Sequence, residues 1–293
     1  MSGQTPSLNP KLELGRKVAE VLRSFGIDVP FAPYDFNSTS LAVLEPSCST
    51  AVSEQILDRM FPKSGSTTAL HYTSADVLRS VVKNKQLWLA WVQKNIKFDE
   101  FTTFATEHGY QGYFDTDATG AAVYEQITRS MFYASFTPKA DPDNDDLWDV
   151  FGKDEHCLRF KISPGPISQF RRIQYQTGNP TLLKEIDKAL QAQVGRVFVP
   201  ARIAQLCAFY LTQSYNWEDE LRLLVPNPLK NMKFDHDGEK YIAIPICADN
   251  VMCRIDLIDV YCGSQNLIEP TRKVLDDANL GSVGVHLRPG VGP

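Results

Sequence analysis

Apolar residues recur along the chain at two periods, and the change of period divides it. In residues 11–25, KLELGRKVAEVLRSF, the residues Leu14, Val18, Val21, Leu22 and Phe25 fall on one helical face, and Gly26 ends the helix. The next forty residues are rich in Pro, Ser and Thr, with one short helix near 51–61. Residues 1–66 therefore read as a partly helical extension or small cap, and 67–293 as the main domain.

From Thr67 onward strand patterns dominate. TTALHY predicts a short strand, and Ser74 is placed to cap a helix carrying Val77, Leu78, Val81 and Val82. KQLWLAWV predicts a second strand, and polar helical stretches follow over 98–108 and 118–129. SMFYASFTP reads as a buried strand stopped by proline, ADPDNDD as an acidic loop, and CLRFKI as a half-buried strand. Helices are expected over 181–193 and 200–214, then strands at ELRLLVP, KYIAIPIC and VMCRIDLIDVYCG, and a last helix near 268–278. Strands and helices do not alternate strictly, which favours an α+β domain of split antiparallel sheets over a doubly wound one.

Composition narrows the functional classes. With 43% hydrophobic and 22% charged residues over 293 positions, the chain can bury a full core. Its formal charge of -5 argues against a broad basic face for a phosphate backbone. No GxGxxG or phosphate loop is present, and the six cysteines form no CxxC pair, so neither a Rossmann site nor a zinc framework is expected. Most of the cysteines, Cys207, Cys247 and Cys262 among them, stand in apolar runs and read as core residues of a reducing compartment. No basic-then-apolar leader opens the sequence and no apolar run reaches the roughly 20 residues that span a bilayer. The expectation is a cytoplasmic protein without a membrane span, or an effector exported by a route that needs no such leader.

Candidate chemistry concentrates at four places. In Tyr215-Asn216-Trp217-Glu218-Asp219-Glu220-Leu221-Arg222 three acids precede an apolar strand. If Glu218, Glu220 and Arg222 share one extended segment, they point to one side. Two carboxylates that close do not both ionise cheaply unless a cation such as Arg222 relieves them. Such a pair suits a reaction with an oxocarbenium-like transition state. His71, Tyr72 and Thr73 stand at a strand-to-helix corner, where an imidazole can bond a sugar hydroxyl and a tyrosine can stack on a flat ring. Ser135 and Thr137 share one face of a strand end, and Trp148 follows the acidic loop as a candidate pocket wall. Taken singly, each also has an ordinary structural reading: a corner histidine bonded to backbone, hydroxyls serving a turn, or a core tryptophan.

In order, HYT, YASFTP with the acidic loop and LWxxFG behind it, ExExR, and a closing VYCG resemble a bacterial family of long-uncharacterised domains related to the mono-ADP-ribosyltransferases. The resemblance covers roughly residues 67–285. It implies a pair of packed antiparallel sheets with NAD, as co-substrate and without a metal, in the cleft between them. It implies a ribose contact for His71, bracing hydroxyls at Ser135 and Thr137, and a pocket position for Trp148. Glu220 would be the catalytic glutamate, and Glu218 the extra glutamate that engages an incoming guanidinium. The expected activity is ADP-ribosyl transfer to an arginine of a target protein, as in a toxin or effector. The alternatives are an NAD glycohydrolase and a non-catalytic binding module; a nucleic-acid acceptor fits the acidic charge less well.

Overall fold

In a computed structural model the described residues are 10–29, 34–36, 40–43, 46–92, 100–116, 118, 120–226, 233–234 and 240–290. The helices are α1 (Pro10–Ser24), α2 (Pro46–Met60), α3 (Ala75–Asn84), α4 (Glu100–His108), α5 (Val123–Thr128), α6 (Leu182–Val194), α7 (Ile203–Ala208) and α8 (Ile268–Asp277). Ten strands build two principal sheets: β1 (Thr67–Thr73), β2 (Gln86–Trp91), β3 (Met131–Phe136), β4 (His156–Pro164), β5 (Gln169–Arg172), β6 (Leu221–Pro226), β7 (Lys233–Phe234), β8 (Lys240–Pro245), β9 (Cys253–Cys262) and β10 (Gly284–Leu287). The α+β class expected from the pattern is the class observed.

The larger sheet runs β7-β8-β2-β3-β6-β5, antiparallel throughout. The smaller runs β10-β9-β4-β1 and departs from the expected antiparallel scheme at its edge, where β10 lies parallel to β9. Side chains alternate across each strand, so Leu221, Leu223 and Val225 of β6 face Phe132, Ala134 and Phe136 of β3 and the smaller sheet's Leu158, Phe160 and Ile255 in one apolar layer. The opposite face of the larger sheet carries Met131, Tyr133 and Leu224 into a second core with the helices.

That second core includes the amino-terminal helices. Val18, Leu22, Val52, Ile56 and Phe61 are buried with Leu183, Ile186 and Leu190 of α6. Arg171 on β5 is fully buried and ties α2 to the sheet edge: its guanidinium donates to Asp58 (2.5 Å), to Gln169 (2.9 Å) and to the Phe61 carbonyl. Residues 46–66 thus share their core, and an ion pair with a buried arginine, with the rest of the chain.

Several local expectations are corrected. The helix expected over 200–214 ends at Ala208, because Tyr210 and Leu211 pair in parallel with Gln174 and Tyr175 and a 3-10 helix occupies Gln213–Glu218. Tertiary pairing there overrides helical periodicity. The stretch 118–129 is helical only from Val123, after Gly120 at φ +80° breaks the run. The stretch 98–108 is helical from Glu100, residues 98 and 99 lying outside the described residues. Ser74 stands at the start of α3 without capping it; the Glu155 carboxylate accepts from the Ala75 amide instead, at 2.6 Å. Cys157, Cys207, Cys253 and Cys262 are buried, but Cys247 is exposed at φ +55°.

Candidate functional site

The strand β6 opens with an acid and a base on one face. Glu220 immediately precedes it and Arg222 is its second residue, so the pleat turns both away from the inter-sheet layer. The Arg222 guanidinium forks onto the Glu220 carboxylate, Nε to Oε1 at 2.7 Å and Nη2 to Oε2 at 2.9 Å. Its Nη1 donates to the Ala208 carbonyl at 2.7 Å, and its carbon centre lies 4.4 Å above the Tyr133 ring. Glu220 is 3% exposed and Arg222 2%, so removing either leaves the other buried without its partner.

Neighbouring strands complete the grip. Ser135 lies opposite Arg222 in the β3–β6 register, and its hydroxyl donates to Glu220 Oε1 at 2.5 Å. The Glu220 amide donates to the Tyr175 hydroxyl at 2.9 Å, and its carbonyl accepts from Ile173 at 2.9 Å. A carboxylate offers about four acceptor positions. Among the described residues Ser135 and Arg222 fill two on Oε1 and Arg222 one on Oε2, which leaves Oε2 an acceptor position for a ligand.

These groups share a cavity of about 300 Å³, lined by Leu70, His71, Tyr72, Tyr133, Ser135, Phe136, Thr137, Leu147, Phe151, Leu211, Tyr215, Glu218, Glu220 and Arg222. It opens where the edge strand β1 of the smaller sheet meets the end of β3, the two joined by paired bonds between Leu70 and Thr137, both 2.9 Å. His71 Nδ1 lies 2.9 Å from the Ser135 carbonyl. A carbonyl only accepts, so Nδ1 carries the proton and Nε2 of the neutral ring is an acceptor. Burial pushes the His71 pKa below the usual histidine range and favours that neutral form. The Thr137 hydroxyl is buried with no hydrogen-bond partner among the described residues, an orphan that a polar ligand atom would satisfy.

Six of the eight residues singled out from sequence therefore line one cavity: His71, Tyr72, Ser135, Thr137, Glu218 and Glu220. Two do not. Thr73 sits past the cavity, buried opposite His156 in the β1–β4 register. Trp148 is fully buried behind the wall: its indole donates to the Pro142 carbonyl at 2.8 Å and its ring meets Tyr72 edge-on at 5.5 Å. The wall position expected of Trp148 belongs to Phe151, because a π-helical turn over Trp148–Gly152 swings that ring outward.

Glu218 and Glu220 reach the cavity by a different route from the extended segment expected. Glu218 ends the 3-10 helix, and Asp219 takes a left-handed conformation, φ +44°, before β6 begins. Only Glu220 and Arg222 obey strand alternation. Tyr175 and Tyr133 gain their places beside Glu220 and Arg222 only through contacts far apart in the chain. Among the described residues no cluster of His, Cys, Asp and Glu could hold a metal ion, and no helix is long and apolar enough to cross a membrane. No protein-family model, curated protein or solved structure matches the chain.

Proposed function

We propose that the chain is an NAD-dependent mono-ADP-ribosyltransferase acting on an arginine of a target protein. The observation that carries this reading is the Glu220 carboxylate, held by Ser135 and Arg222 in a cavity shared with His71 and Glu218. An oxocarbenium ion needs an anion fixed in place before the charge develops, and an ion pair braced on three sides supplies one without reorganisation. The cavity volume lies at the low end for ligand sites and suits one end of a dinucleotide.

In this reading Glu220 Oε2 accepts the 2′-hydroxyl of the nicotinamide ribose. The C1′–N bond breaks, its electron pair leaving with nicotinamide, and the sugar carries the positive charge opposite Glu220. His71 Nε2 and the Thr137 hydroxyl bond the polar atoms of the dinucleotide. A guanidinium nitrogen of the acceptor then bonds to C1′, and Glu218 takes the proton it releases. Two largely antiparallel sheets with the cavity where they meet agree with the transferase-like arrangement that the sequence resemblance implies.

The test is incubation of the wild-type protein and Glu220→Gln with labelled NAD and a cell lysate, following nicotinamide and labelled macromolecules together. Label on a protein band that vanishes in the variant supports transfer. Free labelled ADP-ribose alone identifies a glycohydrolase, and no nicotinamide from the wild type sinks the reading.

A further inference from the structure

Two exposed aromatic rings, one of them in the cavity lining, pack against each other, and the transferase reading does not use them. Phe151, 45% exposed, comes from the π-helical turn and lines the cavity; Trp217, 37% exposed, comes from the 3-10 helix that ends at the cavity-lining Glu218. Their rings are nearly parallel, 17° apart, with centroids at 6.2 Å. Large rings left in water at a cavity rim mark a contact surface. Glu218 follows Trp217 directly and lines the cavity, and the exposed Asp149 stands two residues before Phe151.

We propose that Phe151 and Trp217 form a slot that takes the flat guanidinium of an arginine side chain between their faces and delivers it to Glu218. A planar group needs about 3.5 Å on each side, or about 7 Å in all between the two faces, so the stacked rings must part to admit one. A guanidinium is flat, stacks on aromatic faces and pairs with a carboxylate; an ammonium is a compact point charge that leaves the slot unfilled. The slot thus selects arginine over lysine before any chemistry. Its purpose rests on the transferase reading, while its binding preference stands independently of that reading.

The experiment is a chemical-shift titration of the protein with N-acetyl-arginine amide and, separately, N-acetyl-lysine amide, in the absence of NAD. Saturable shifts with the arginine probe are expected. Trp217→Ala and Phe151→Ala each weaken binding roughly three-fold or more, and Trp217→Phe restores most of it. Equal binding of the two probes, binding by Trp217→Ala indistinguishable from wild type, or no binding by the wild type overturns the slot. Failure of the transferase reading appears separately, as NAD left intact by the wild-type protein, and leaves the titration result standing.

Discussion

Arg222 holds both carboxylate oxygens of Glu220, at 2.7 and 2.9 Å, from two positions along the same strand. Tyr133, Ser135 and the Ala208 carbonyl flank the pair, and the two residues are only 3% and 2% exposed, so either charge is poorly hydrated if its partner is lost. Arg222→Leu therefore leaves a buried carboxylate uncompensated and is expected to cost about 3–5 kcal/mol in urea denaturation. Arg222→Lys keeps the charge without the fork and should fall between. If Arg222→Leu unfolds at the wild-type midpoint, the pair is not buried as described.

Glu220→Gln removes the fixed charge with little change of shape. Nicotinamide release from NAD is expected to drop roughly 100-fold or more. The variant also leaves the buried Arg222 charge uncompensated, so its urea midpoint should fall too, and circular dichroism without denaturant must show native structure before the loss is assigned to chemistry.

Stability should fall as pH drops below the ordinary histidine range. Burial lowers the pKa of His71, His108 and His156, the last to about 4, so between about 6.5 and 4 the unfolded chain binds protons that the folded protein refuses. Asp187 acts in the opposite sense, because burial raises it to about 6 and its folded form takes up a proton first as pH falls. Three groups against one leave a net loss. Urea midpoints measured from pH 7 to pH 4.5 should decline, and more gently for His156→Gln; a flat or rising profile contradicts the assignment.

Cys247 should be the first of the described cysteines to react with a thiol reagent. It is exposed, whereas Cys157, Cys207, Cys253 and Cys262 are buried, and burial pushes Cys253 up to about 12. Peptide mapping after brief alkylation should find Cys247 labelled and those four protected until denaturant is added.

Arg171→Ala should loosen α2 from the sheet. It removes a fully buried guanidinium from the Phe61 carbonyl and from the partly exposed Asp58, at an expected cost of about 1–3 kcal/mol for the carbonyl left unpaired. Accelerated proteolysis within residues 46–66 in the variant is the corresponding signature, and an unchanged cleavage rate counts against it.

Much of this architecture could be read from local pattern. The alternation in CLRFKI and ELRLLVP, the 3.6-residue period of 11–25 and 181–193, and the shift of character near Thr67 each report a face that must be hidden. The pattern was overridden by distant pairing in one place and by a local backbone irregularity in another. The helix expected through Tyr210 yields to Gln174 and Tyr175, thirty-six residues earlier in the chain. The pocket place expected of Trp148 passes to Phe151 because a single π-helical turn rotates the two rings apart.

Local sequence was enough to establish which residue types were available and on which strand face Glu220 and Arg222 stand, since strand alternation is a local property of the backbone. It took the folded chain to bring Ser135, eighty-five residues away, onto Glu220, to set His71 against the Ser135 carbonyl, and to carry Glu218 into the cavity past a left-handed Asp219. Those relationships come from strand register and from the junction of two sheets. Both are settled by burying apolar faces that lie far apart in the chain, and that is information no short window of sequence contains.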